Sequence, residues 1–139
     1  MRISEIVRVD SRGRILIPSA VRSSLGLREE SYVMLIADLE SQEIRLIPFA
    51  DPEAALYELR MAFEDFPGAL AKAASKLAEL GVDLLSTQSR TIYRGKLAEW
   101  HAIVDLSKCK VRIEKLKEKL VKDGAAKDVE IRRLSLKRG

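Results

Sequence analysis

The sequence predicts an α+β protein of two small domains, residues 1–49 and 50–139. Strand-like alternation and helix-like spacing of apolar residues follow one another along the chain, which is typical of mixed folds. Pro48 and Pro52 bound a short link between two halves whose patterns differ, and residues that precede proline are biased away from helix. With 139 residues, 47% of them hydrophobic, the chain is long enough to bury a core in one domain or two.

The most specific stretch of the N-terminal half runs from Val9 to Leu27 and begins with a turn. A hairpin turn after Asp10 needs a residue that tolerates positive φ, and Gly13 is such a residue. The segment Arg14–Ile17 then alternates its side chains with period two, which predicts a short strand.

A short helix follows this strand. Pro18 can open it, because its missing N–H is unsatisfied at a helix start in any case, and Gly26 supplies a left-handed stop. The predicted elements of this half are strands over Ile3–Val9, Arg14–Ile17, Tyr32–Asp38 and Glu43–Ile47 and a helix over Ser19–Leu25. A unit of about 45 residues with such short strands buries too little surface to be stable alone, so a partner chain is expected.

Charge is polarised within the same half. Residues 1–28 hold six arginines against Glu5 and Asp10, a net charge of +4, whereas residues 29–50 hold one arginine against five carboxylates, a net charge of −4. Every basic residue of this half is arginine, whose planar fork matches phosphates and guanine edges. The pattern therefore favours a nucleic-acid partner over a merely solvated face.

These features together resemble the AbrB/SpoVT-type swapped-hairpin DNA-binding domain over Ser4–Pro48. The resemblance implies that two chains interleave their hairpins into one shared β-barrel, which makes the protein a homodimer and brings both turns together. It also implies contact with double-stranded DNA through Arg8, Arg12, Arg14 and Arg22. The sequence departs from the family pattern at Ser23, where a second basic residue is common, and at Ser31, where a Gly-Asp pair is common.

The C-terminal half begins with a clean alternation, in which Tyr57, Leu59, Met61 and Phe63 face one way. The predicted elements are strands over Tyr57–Phe63, Val82–Tyr93, Leu97–Leu106 and Lys127–Leu136, helices over Leu70–Leu80 and Val111–Asp123 that Gly81 and Gly124 end, and a turn at Arg94-Gly95-Lys96. This order places two helices on one face of a four-stranded antiparallel sheet, the ferredoxin-like topology. Topology alone does not identify a function.

Two stretches of this half, Asp65–Leu70 and Leu77–Leu84, resemble the signature of the ACT domain, a regulatory module that commonly binds amino acids. The resemblance covers about Leu56–Leu136 and implies an amino acid held between two copies, near a helix start that favours its carboxylate. The candidate ligand-binding residues are Asp65, Pro67, Gly68, Ala69, Leu70 and Asp83. Family members that bind amino acids often carry asparagine at such a site, and this sequence has none, so a module that only dimerises is the alternative.

Other classes of function find little support in the sequence. The single cysteine, Cys109, and the single histidine, His101, exclude an internal disulfide and a Cys/His zinc site within one chain. Motifs for a nucleophile elbow or a phosphate loop do not occur, so we expect neither an enzyme nor a bound cofactor. No apolar run long enough to span a membrane and no signal-peptide pattern occurs, which predicts a cytoplasmic protein without membrane contact.

The sequence supports two other binding functions, RNA binding and toxin binding, less well. RNA binding by a sheet surface needs exposed aromatic residues, but Trp100 shares its face with apolar neighbours and is expected in the core. The lysine-rich second helix interleaves Glu114 and Glu118, as solvated faces usually do.

Swapped-hairpin antitoxins bind their toxins through an extended tail, whereas this C-terminal half is predicted to fold. The sequence therefore predicts a homodimeric or tetrameric transcriptional regulator that binds DNA and is modulated by an amino acid.

Overall fold

The structure is a computed structural model that describes residues 1–64, 67–93, 96–123 and 126–136. Over these residues the elements are α1 Ser19–Leu25, β1 Tyr32–Asp38, β2 Glu43–Ala50, β3 Leu56–Phe63, α2 Ala69–Glu79, β4 Asp83–Tyr93, β5 Leu97–Asp105, α3 Ile113–Lys122 and β6 Ala126–Arg133. They fall into two compact units, the N-terminal unit Met1–Pro52 and the C-terminal unit Glu53–Leu136. Within the described ranges, none of the helices has the length and hydrophobicity needed to cross a membrane.

In the N-terminal unit, β1 and β2 form an antiparallel hairpin. The carboxylate of Asp38 shapes its turn by accepting the backbone N–H groups of Glu40 at 3.1 Å and Ser41 at 3.2 Å. Helix α1 and strand β1 have the predicted bounds. Strand β2 continues to Ala50, so part of the predicted link is strand.

The two strands predicted at Ile3–Val9 and Arg14–Ile17 are not formed in this chain, and the interleaved barrel of two chains stays a prediction. Only the turn between them is bonded, with the Asp10 N–H donating to the Arg14 carbonyl at 2.9 Å. In the predicted barrel both segments pair with strands of a second chain, so the strands of one chain by itself leave them without partners.

The structure describes every residue of Met1–Pro52, and none of them is buried. One face of the β1–β2 hairpin, called here the apolar hairpin face, consists of Val33, Leu35, Ala37, Ile44, Leu46 and Pro48. On it, the exposed fraction of Leu35 is 61% and that of Ile44 is 69%. A contiguous apolar face of this kind is typical of a surface that another molecule covers.

The C-terminal unit is a four-stranded antiparallel sheet in the order β4-β5-β3-β6. Helices α2 and α3 share one hydrophobic core with one face of this sheet, so the predicted ferredoxin-like topology is confirmed. Strand β3 shows why, because Leu59, Met61 and Phe63 alternate inward and are at most 2% exposed. Trp100 on β5 is 4% exposed in the same core. This burial does not fit RNA binding by stacking on the central strands.

Two glycines of the C-terminal unit have positive φ in different surroundings, which predicts different costs of substitution. A Cβ at Gly81, with φ +79°, would lie 2.5 Å from the carbonyl oxygen of Lys108, whereas a Cβ at Gly68, with φ +88°, would have no described atom within 4 Å. We expect Gly68→Ala to cost about 1 to 2 kcal/mol from backbone strain alone, and Gly81→Ala to cost clearly more because the clash adds to the strain. Urea denaturation followed by the fluorescence of Trp100, the only tryptophan, measures both. Equal midpoints for the two variants would contradict the packing at Gly81.

Candidate functional site

The Asp10–Arg14 turn is held by one carboxylate. Oδ1 of Asp10 accepts the backbone N–H groups of Arg12 at 2.8 Å and Arg14 at 2.9 Å. Oδ2 of Asp10 accepts Nε of Arg14 at 2.8 Å. The terminal nitrogens of Arg14 and the whole side chain of Arg12 make no hydrogen bond to the described residues. The turn therefore presents two guanidinium groups on an ordered backbone.

These hydrogen bonds hold the pKa of Asp10 below its ordinary value of 3.8, chiefly through the N–H groups of Arg14 and Arg12. Because the folded-state pKa is depressed, the carboxylate's contribution to stability is present above the ordinary pKa and is lost as the pH falls through the lower, folded value. The turn is therefore expected to keep its geometry throughout the neutral range.

Removing the Asp10 carboxylate should loosen the Asp10–Arg14 turn without unfolding the β1–β2 hairpin. We expect Asp10→Ala to speed amide hydrogen exchange at Arg12 and Arg14, since both N–H groups lose their acceptor. Asp10→Asn keeps an acceptor oxygen and should fall between Asp10→Ala and the parent chain. Amide exchange measured by NMR tests this, and unchanged rates in Asp10→Ala would contradict the hydrogen bonds described.

The other two predicted DNA-contact residues lie elsewhere in the N-terminal unit. Arg8 is exposed and makes no hydrogen bond within the described part of the chain. Arg22 on α1 is half-buried and donates from a terminal nitrogen to the carbonyl oxygen of Ile17. Arg22 thus ties α1 to the segment before Pro18, a structural contact that the sequence motif does not reveal.

The second candidate site lies at the start of α2. No described side chain caps the start of this helix after Gly68, so among the described residues its first N–H groups are available to an anion. A cavity of about 220 Å³ adjoins this helix start and the strands β3 to β5. Its lining includes Ala69, Leu70, Ser89, Arg90, Thr91 and Trp100. Glu64 and Glu99 also line it, but their carboxylates pair with cations outside it, Glu64 with Lys127 at 3.3 Å and Glu99 with Arg60 at 3.8 Å.

The structure assembles only part of the predicted ligand site. Ala69 and Leu70 line the cavity, and Pro67 and Gly68 precede them on the surface. Asp83 begins β4, after the other end of α2, and this helix of 11 residues is about 16 Å long. Within one chain Asp83 is therefore not brought to the helix start, and its role at a site between two copies stays a prediction. Asp65 lies outside the described residues.

Sequence reasoning missed Arg90, which lines the cavity from β4. The sequence does single out Arg90, because it is the one charged residue between Leu84 and Tyr93. The register of β4 against β5, which pairs Arg90 with Glu99, was needed to place it.

The lone cysteine and the lone histidine both lie in the C-terminal unit. Cys109 is half-buried in the connection from β5 to α3, and His101 on β5 is exposed beside the carboxylate of Glu99. Across the described ranges, no group of three or more His, Cys, Asp and Glu side chains is placed to hold a metal ion.

Comparison with known proteins gives likenesses to solved structures only. No protein-family model matches the sequence, and no curated protein matches it. An ACT domain protein from Streptococcus pneumoniae is 19% identical with a TM-score of 0.47 over 58% of this chain and 90% of that chain. The chemotaxis kinase CheA P2 domain, in complex with the response regulator CheY from Thermotoga maritima, is 19% identical with a TM-score of 0.41 over 58% and 99%. An unknown protein from Galdieria sulphuraria is 15% identical with a TM-score of 0.46 over 67% and 57%.

Proposed function

We propose that this protein is a homodimeric, non-enzymatic regulator of transcription that binds double-stranded DNA through its N-terminal unit and a small amino acid through its C-terminal unit. The Asp10–Arg14 turn carries the proposal. It holds Arg12 and Arg14 on a bonded backbone, with most of their donors free of the described residues. Donors arranged in this way suit phosphate oxygens and guanine edges.

The apolar hairpin face supports the homodimer. A second copy of this unit offers the same face, and a two-fold axis would bury both while placing two turns on one assembly. Two turns double the number of arginines available to DNA, whose two half-sites commonly match a two-fold protein.

The cavity at the start of α2 supports the ligand. Arg90 and the N–H groups of the first helical turn suit a carboxylate, and the hydroxyl oxygens of Ser89 and Thr91 can accept hydrogen bonds from an ammonium group. An α-amino acid carries both groups at a spacing that fits a cavity of about 220 Å³. Such a ligand alters DNA affinity only if it binds the free and DNA-bound states differently, and the coupling is then reciprocal.

A thermal-denaturation screen of the full chain with the twenty amino acids tests the ligand. An amino acid present at about a hundred times its dissociation constant should stabilise the folded state by about 2.7 kcal/mol. Arg90→Gln should abolish the shift, and Gly68→Val should weaken it. Arg132→Gln, on the same sheet but outside this cavity, is the matched control and should keep it.

The outcome separates two functions. If no amino acid shifts the melting curve, the C-terminal unit is better described as an oligomerisation module.

Selection of bound duplexes from a random-sequence library tests the N-terminal unit. Failure to enrich any duplex there would overturn the DNA-binding proposal, whatever the ligand screen shows.

A further inference from the structure

Positive charge in this protein is concentrated in two segments, of which the arginine turn accounts for only one. Residues 1–28 have a net charge of +4, and residues 108–122 hold seven cationic residues against two carboxylates, a net charge of +5. Since the whole chain is at +4, the remaining residues sum to −5. The second segment is mostly lysine, whereas the first contains none.

The lysine-rich segment is the connection from β5 to α3 together with α3 itself. With α2 and its flanks it forms what we call the helix layer, residues 67–81 and 106–123. The helix layer carries nine cationic residues against four carboxylates, a net charge of +5. Leu116 and Leu120 of α3 face the core and are at most 1% exposed, so the lysines occupy the remaining, outer side of the helix.

Only some of these lysines are neutralised. Lys115 pairs with Glu118 at 3.4 Å, and Lys76 pairs with Glu79 at 2.9 Å. Others form no ion pair within the described part of the chain, among them Lys110, Lys117, Lys119 and Lys122. The helix layer therefore carries net positive charge that is not neutralised locally.

The opposite face of the sheet provides an internal comparison. Arg60 on β3 bonds Asp128 at 2.8 Å and Glu130 at 2.9 Å across the strands. Arg132 lies 3.6 Å from Glu58. The cations of these pairs are neutralised by neighbouring carboxylates, so this side of the unit attracts a polyanion less. The C-terminal unit is thus electrostatically two-sided, with the excess positive charge on its helices.

We propose that the helix layer is a second DNA contact, which binds the phosphate backbone without reading sequence. The proposal rests on the DNA-binding function proposed above. Lysine supports it chemically, because an ammonium group on a flexible stem binds phosphate as a point charge, whereas bidentate recognition of a base favours arginine. The arginines of the turn would then read the duplex, and the lysines of the helix layer would add salt-dependent affinity.

The test is the salt dependence of binding by the full chain, measured by fluorescence anisotropy with a labelled 40-base-pair duplex of mixed sequence. The slope of log affinity against log salt changes by about 0.9 for each phosphate contact. Lys117→Gln with Lys122→Gln should therefore make the slope shallower by about 1.8 per chain. The matched control, Lys96→Gln with Arg132→Gln, removes the same charge outside the helix layer and should leave the slope unchanged.

The results separate this proposal from the one on which it rests. An unchanged slope in the Lys117/Lys122 variant, with Arg12→Ala still lowering affinity, would overturn the second contact and leave DNA binding by the turn intact. Equal changes in the variant and its control would show an effect of net charge and overturn the helix layer as a specific surface. A parent chain that binds no duplex would overturn both proposals.

Discussion

For the proposed dimer, replacing Arg12 by alanine is expected to lower the affinity for DNA on the order of 50-fold at 0.1 M salt, because each chain would lose one phosphate interaction with a salt slope of about 0.9. If Arg12 hydrogen-bonds a base edge instead, its removal would cost about 1 to 3 kcal/mol, a similar effect. The fold should be unaffected, since the Arg12 side chain bonds to no described residue and only its backbone N–H holds the turn. Anisotropy titration and circular dichroism measure the two quantities.

Arg45→Ala is the matched control for this experiment. Arg45 is an exposed arginine on β2, opposite Ile36 in the same unit, and its replacement removes the same charge away from the turn. Affinity should fall much less than in Arg12→Ala. Similar decreases in both variants would mean that net charge, and not the turn, carries the binding. Arg14→Ala is less informative, because Arg14 also bonds Asp10 within the turn.

Leu35→Glu is expected to dissociate the proposed dimer. In the single chain Leu35 is 61% exposed, so a carboxylate there should cost little if the protein is a monomer. In a dimer that buries the apolar hairpin face, the two copies lose two buried leucines, about 3 to 6 kcal/mol of apolar transfer. Two desolvated carboxylates add further cost. Sedimentation velocity at micromolar concentration should therefore show loss of the association made by the N-terminal unit.

The chain offers a control of the same chemistry in Leu39, which lies in the hairpin turn and is 86% exposed. Leu39→Glu introduces the same charge outside the apolar hairpin face and should leave the association unchanged. If Leu35→Glu has the sedimentation coefficient of the parent chain, another surface holds the dimer or the protein is a monomer. Loss of association in Leu39→Glu as well would extend the interface to the hairpin tip.

The sequence by itself determined the elements that depend on interactions between residues close together in the chain. The bounds of α1 follow from Pro18 and Gly26, because a helix start tolerates a missing N–H and a left-handed stop favours glycine. The inward face of β3 follows from alternation, since a strand has period two and its apolar residues seek the core. The order of elements in the C-terminal half then limits the topology, and the sheet order bears this out.

Tertiary structure decided everything that depends on pairing between distant residues. Arg60 bonds Glu130, 70 positions later, only because β3 and β6 adopt one register. Arg90 reaches the cavity at the start of α2 through the register of β4 and β5, and Asp83 is separated from that start by the length of α2. Side-chain periodicity says which way a residue faces but not which strand lies beside it. For that reason the sequence by itself determined most of the elements and the arginine turn, although not the strands predicted at Ile3–Val9 and Arg14–Ile17, while only the fold decided which residues share the cavity and which lysines remain unpaired.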